Sequence, residues 1–194
     1  MILCIIKNLK EKKCYLSPIN IEDYELCTRW LNDMEISIGM MSAQSLITPT
    51  KEREILEKLQ NEPYNFSIVD RKNHTLLGIG GIINIDHINK KSELGIFIGK
   101  KDMQGKGYGQ EAISLILDFA FNILNMNSMH LKVYSYNKIA ISCYKKVGFK
   151  EAGRLREAKV IGSSKYDEVY MDILAREFES PYINRIIEMK NAEI

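Results

Sequence analysis

ELGIFIGKKDMQGKGYG, residues 93–109, carries an apolar strand straight into Gln104-Gly105-Lys106-Gly107-Tyr108-Gly109, and an amphipathic helix follows at once. Glycines at 105, 107 and 109 let successive backbone N–H groups face one point without Cβ obstruction, and the helix brings the positive end of its dipole to the same place. Such a junction suits a phosphate, and a pyrophosphate above all. Taken alone, the glycine run is equally consistent with a tight turn.

The flanking sequence describes the surroundings of that junction. Residues 14–19 read as a strand closed by Pro18, and Asn20-Ile21-Glu22-Asp23 as the capped start of a helix through Leu26, Trp30 and Leu31. From 34 to 49 no period is evident, which predicts a loop. Thr50 is the expected cap of a helix that carries Ile55, Leu56 and Leu59 on one face and stops before Pro63. Residues 65–69 and 76–85 form a hairpin across Asp70-Arg71-Lys72-Asn73. After the glycine junction, Ala112, Ile113, Ile116, Leu117, Ala120, Phe121 and Leu124 recur at helical spacing. A strand over 130–136, a short helix over 139–147 ended by Gly148, and strands over 150–161 and 165–174 complete the pattern. Strand pairs before and after a strand–helix–strand–helix centre predict a mixed α/β sheet, of α+β character, with a ligand at the carboxyl end of the central strand.

The chain has 194 residues and 45% hydrophobic content, enough for a single domain, expected over 1–180. A tail over 181–194 places Ile183, Ile186, Ile187 and Met189 at helix-compatible spacing. With 27 basic against 25 acidic residues, no whole-chain field recruits nucleic acid or an anionic membrane. Cys4, Cys14, Cys27 and Cys143 lie far apart, as reduced thiols of a cytoplasmic protein would, and no His/Cys/Asp spacing predicts a metal. The opening MILCII precedes its lysines, the reverse of a secretory signal, and reads as an added strand. No stretch approaches the roughly 20 apolar residues of a membrane span.

Two segments carry a resemblance. Residues 104–109 fit Q/R-x-x-G-x-G/A, and Asn137-Lys138-Ile139-Ala140 followed by Tyr144-Lys145-Lys146-Val147-Gly148-Phe149 fits N-x-x-A-x-x-x-Y-x-K-x-G-F. In this order, with a strand between, they resemble the GNAT superfamily of acetyl-CoA-dependent N-acetyltransferases, and within it the RimJ/RimL-like group with ribosomal-protein and spermidine acetyltransferases. The likeness spans about Tyr15 to Leu174. It implies the GNAT fold, a central, mostly antiparallel sheet flanked by helices and splayed between two strands, and acetyl-CoA as co-substrate without a metal. Backbone amides of Gln104, Gly105, Lys106, Gly107, Tyr108 and Gly109 would hold the pyrophosphate. Phe97, Ile98 and Gly99 would pair with the pantetheine arm and supply the oxyanion donor. Asn137 would bond the same arm, or simply cap a helix.

The resemblance further implies a direct attack of the amine on the thioester in a ternary complex. Tyr144 would then protonate the departing thiolate; a phenol near pKa ~10 stands just above a thiol near ~8.5. The bland alternative is an aromatic on a core helix face. Glu93, eleven residues before Gln104, occupies the offset used for a catalytic glutamate by histone acetyltransferases of this superfamily; it could equally be a solvated carboxylate, with water removing the proton. The base position of the RimI-type enzymes is here Lys132, a departure from their pattern. Cys143, about 100° round the helix from Tyr144, is not expected to act as a nucleophile. Candidates for reading the acceptor, a protein N-terminus or a small amine such as a polyamine, are Asp33, Met34, Glu35, Met40 and Met41, with Tyr166, Asp167 and Glu168. Exposed strand edges leave room for a homodimer. A non-catalytic acetyl-CoA sensor is the competing class; an ATP-binding regulator would need the Lys-Ser/Thr pair that is missing after the glycines.

Overall fold

The computed structural model describes residues 13–40, 45–180, 182–184 and 191. The expected MILCII strand, Met41, and the tail positions Ile186, Ile187 and Met189 lie outside them.

Seven strands form one sheet in the order β1-β2-β3-β4-β5-β7-β6. They are β1 (Cys14–Pro18), β2 (Asn65–Asp70), β3 (Leu76–Asp86), β4 (Lys91–Ile98), β5 (Ser128–Tyr134), β6 (Lys150–Ile161) and β7 (Ser164–Leu174). Every neighbouring pair is antiparallel except β4 and β5. The helices are α1 (Tyr24–Leu31), α2 (Met34–Ser37), α3 (Pro49–Asn61), α4 (Tyr108–Asn122) and α5 (Lys138–Val147).

Two apolar clusters pack the sheet. Alternation along β4 sends Leu94, Ile96 and Ile98 to one face, where α4 and α5 cover them, and Phe97 to the other, against Trp30 of α1. Helix α4 is buried along most of its length, from Ala112 to Phe121. Asp118 within it is fully buried, and its carboxylate accepts hydrogen bonds from the Ser180 hydroxyl and from the backbone N–H groups of Tyr182 and Ile183. Tyr182 thereby joins the core.

Local chemistry explains the ends of the elements and corrects two expectations. Thr48, not Thr50, caps α3: its Oγ1 accepts from the N–H of Lys51, and Pro49 takes the first helical position, where its missing N–H costs nothing. The presumed loop from 34 contains the short α2, capped by the Asp33 carboxylate on the N–H of Glu35. Gly148 ends α5 in the left-handed region, and the Phe149 N–H reaches back to the Tyr144 carbonyl, seating Phe149 in the core.

Strand β4 is paired along its length with β3, from Asp86↔Lys91 to Gly78↔Ile98, but with β5 only over Lys91–Glu93. Beyond Glu93↔His130 the two strands part. This opening, with the glycine loop at its far end, positions the site.

Candidate active site

At the exit of β4 the chain turns through Gly105 and Gly107, at φ +71° and +88°. Both angles fall where an L side chain is strained. Gly107 is the N-cap of α4, and no side chain caps that helix, so the first-turn amides remain directed outward. Gln104 braces the loop: its Nε2 donates to the Ile98 carbonyl at 2.7 Å. Lys13 braces it from the other side, its Nζ donating to the Lys106 carbonyl at 2.6 Å and its N–H to the Glu111 carboxylate. Tyr108 is turned inward, its hydroxyl 3.3 Å from the Asp70 carboxylate. The loop thus offers backbone, with the Gln104 and Tyr108 side chains spent on holding it. A cavity of about 610 Å³ opens beside Gly107, bordered by Lys13, Gln110, Glu111, Lys146 and Tyr182.

Of the three strand residues expected to meet a cofactor arm, one faces the opening. The Gly99 N–H donates to the Leu77 carbonyl, at 2.8 Å. Alternation then turns the backbone groups of Phe97 and Gly99 toward β3 and those of Ile96 and Ile98 toward β5, where no strand pairs with them. Ile98 therefore presents its amide to the gap, and Ile96, overlooked in the sequence, does the same. Gly99 has a packing reason to be glycine, since a Cβ there would lie 2.1 Å from the Trp30 ring.

Glu93 stands at the vertex, the last residue of β4 paired with β5. Its side chain is 13% exposed. Asn84 Nδ2 donates to Oε2 at 2.8 Å, His130 Nε2 lies 3.7 Å from the same oxygen, and Lys132 Nζ lies 3.9 Å from Oε1. The lysine at the alternative base position is therefore the neighbour of Glu93, drawn also over the Tyr170 ring.

Tyr144 lies on α5, edge-on to Phe149. Among the described residues its hydroxyl has no hydrogen-bond partner. Burial, then the Cys143 thiol beside it, pushes its pKa well above the ordinary phenol value, so it stays protonated. Cys143 points toward Gly109 and Ile98, and burial raises its pKa also, which denies it the thiolate that a nucleophile needs. Asn137 caps α5, accepting from the Ala140 N–H, while its Nδ2 donates to the Gly39 carbonyl at 3.3 Å. Both readings of Asn137 thus involve a side chain already engaged within the chain.

The acidic residues proposed for the acceptor are largely neutralised. Lys101 Nζ sits 2.6 Å from Asp33 Oδ2 and 2.6 Å from Glu35 Oε2, holding the Asp33 carboxyl below its ordinary range. Asp167 accepts from the Glu157 N–H and has Arg154 at 3.6 Å. Met34 is exposed and Met40 packs on the second core. Tyrosines form a wall instead: Tyr134 stacks on Tyr136, and Tyr166 meets Tyr136 edge-on. Only Tyr166 of these stood out in the sequence; the others became neighbours through the β5–β7 pairing.

A parallel strand pair opens beyond a carboxylate, with an amide-lined turn where the strand ends, the arrangement that the resemblance to acetyl-CoA-dependent N-acetyltransferases implies. The family model described as "Acetyltransferase (GNAT) domain" matches residues 13–150, so the chain belongs to the GNAT acetyltransferases. It is 32% identical over 142 residues to a spermidine N(1)-acetyltransferase of Vibrio cholerae, covering 71% of this chain and 79% of that one. The crystal structure of a Bacillus anthracis GNAT-family acetyltransferase superposes with TM-score 0.76 at 18% identity, over 91% of this chain and all of that one. That of the Vibrio cholerae spermidine acetyltransferase with CoA and spermine gives 0.72 at 25%, over 85% and 97%. The seven-stranded sheet, the helices on its faces and the acetyl-CoA-dependent N-acetyltransferase class agree with what the two motifs imply. No helix among the described residues is long and apolar enough to cross a membrane.

Proposed function

We propose that this protein acetylates a primary amine by direct attack in a ternary complex, with Glu93 as base and Tyr144 as acid. The observation that carries the reading is Glu93 at the vertex of the β4–β5 opening, with the uncapped start of α4 at the other end. Acetyl-CoA, when bound, supplies an activated thioester. The amides of Gly105 to Gly109 hold its pyrophosphate, and Ile96 and Ile98 offer in-plane partners to the pantetheine and a donor for the carbonyl oxygen.

Glu93 accepts the proton that the amine must lose. For a lysine-like amine at pKa ~10.4, deprotonation at pH 7 costs about 4 to 5 kcal/mol; for an α-amine near ~8 it costs about 1 to 1.5. A base therefore matters most for an alkylamine. As the N–C bond forms and the C–S bond breaks, Tyr144 gives its phenolic proton to the thiolate and regains one from solvent. The acceptor is a small amine such as a polyamine, or a protein N-terminus; the spermidine-acetylating relative supports the first. The RimJ/RimL-like placement and a cytoplasmic setting belong to the same reading.

Thiol release from acetyl-CoA across an amine panel tests it. Tyr144→Phe and Glu93→Gln should each lower kcat by roughly 10²-fold or more, with the KM for acetyl-CoA little changed. Tight acetyl-CoA binding without turnover of any amine would sink catalysis in favour of a sensor, and equal rates for wild type and Tyr144→Phe would remove the tyrosine's acid role alone.

A further inference from the structure

Asn84 holds a left-handed backbone, at φ +51°, inside β3. It lies where the β3–β4 register breaks, between Ile83 and Asp86. Ile83 and Glu93 are directly paired, so their side chains share a face of the sheet. In a regular strand the next residue would point to the opposite face. The left-handed turn cancels that alternation and brings Asn84 Nδ2 to 2.8 Å from Glu93 Oε2. Asparagine is among the few side-chain-bearing residues that adopt this conformation readily, and it alone combines that tolerance with an amide donor.

We infer that Asn84 is a positioning residue for Glu93, and the inference rests on Glu93 being the base. Its amide fixes one carboxylate oxygen and so aims the other, Oε1, which makes no hydrogen bond among the described residues, at the amine. The other groups facing this carboxylate are His130 and Lys132 on β5, at 3.7 and 3.9 Å, and Tyr170 on β7, whose phenol feels the Glu93 charge. None of them replaces the Asn84 contact at hydrogen-bond length. An amide also donates without titrating, so it orients the carboxylate at any pH at which the enzyme works.

Three variants separate this role from its alternatives, with thiol release from acetyl-CoA measured against pH using spermidine and a short peptide with a free α-amine. Asn84→Gly keeps the left-handed backbone and removes the donor; kcat should fall roughly tenfold to a hundredfold, the scale of a misplaced catalytic group, with the KM for acetyl-CoA unchanged. Asn84→Asp keeps backbone and shape but sets a like charge against Glu93; the acidic limb of the kcat profile should move up by about one pH unit. Glu93→Gln tests the underlying reading. A residue that only shapes the β-bulge would survive Asn84→Gly, so an unchanged kcat in that variant, or an unmoved profile in Asn84→Asp, with Glu93→Gln inactive, overturns the inference and spares the base. Full activity of Glu93→Gln overturns both.

Discussion

Replacing Glu52 by glutamine should stabilise this protein at pH 8 and leave it nearly unchanged at pH 4. Glu52 lies on α3, facing the core shared with α1, and is 2% exposed. Its Oε2 meets no hydrogen-bond partner among the described residues. Burial pushes its carboxyl from 4.5 up to about 7, and its charge helps push the buried Cys27 thiol up to about 12, after burial itself. The unfolded chain releases the Glu52 proton near pH 4.5, and the folded chain only near 7. Between these values the folded state binds the extra proton, so stability falls as pH rises, and the loss is complete above about 7. At ~1.4 kcal/mol per pH unit, the interval amounts to roughly 3 kcal/mol. Glutamine keeps the shape and polarity of the protonated acid without the charge, so the difference from wild type should grow from near zero to that size. For a chain of this length, ~2 to 4 °C per kcal/mol translates it to a rise in Tm of roughly 6 to 12 °C at pH 8. Thermal unfolding followed by circular dichroism at the two pH values measures it. A difference independent of pH, or a wild type more stable than the variant at pH 8, would refute a buried, unsatisfied Glu52.

Two further substitutions probe the cradle and the C-terminal anchor. Gly107→Ala places a Cβ on a residue at φ +88°, a conformation that costs roughly 1 to 2 kcal/mol, so CoA affinity measured by calorimetry should weaken about tenfold while acceptor KM holds; unchanged affinity would show that the loop does not carry the pyrophosphate. Asp118→Ala strands the Ser180 hydroxyl and the Tyr182 and Ile183 amides; a loss of roughly 3 kcal/mol in urea unfolding is expected, and faster amide exchange at Tyr182 and Ile183 should accompany it. A variant as stable as wild type would mean that these three donors find other acceptors.

Most elements were legible in the sequence because their causes are local. The period of Ala112 to Phe121 marks a buried helix, Asn20 and Asn137 mark helix starts, and Gly148 marks a helix end, each through forces acting within one or two turns. The glycine loop was legible for the same reason: Gly105 and Gly107 supply positive φ where the strand must turn into a helix. Thr48 was missed in favour of Thr50 because both precede the same apolar pattern, and Pro49 decides which of them is the cap. The surroundings of Glu93 were not legible at all. Its contact with Asn84 depends on a register break between two strands, and those with His130 and Lys132 on a parallel pairing that stops after three residues. Likewise Asp33 and Glu35 read as a lure for a cationic amine until Lys101, distant in sequence, is seen between them.

By itself, then, the order of residues determined a mixed sheet with a glycine turn into a helix at the end of its central strand, since strand period, helix period and glycine conformation are properties of short stretches. Only the tertiary structure decided which amides of β4 face the opening, which carboxylates keep an unspent charge and what contacts Glu93, because each of these depends on strand register and on pairs of residues far apart in the chain.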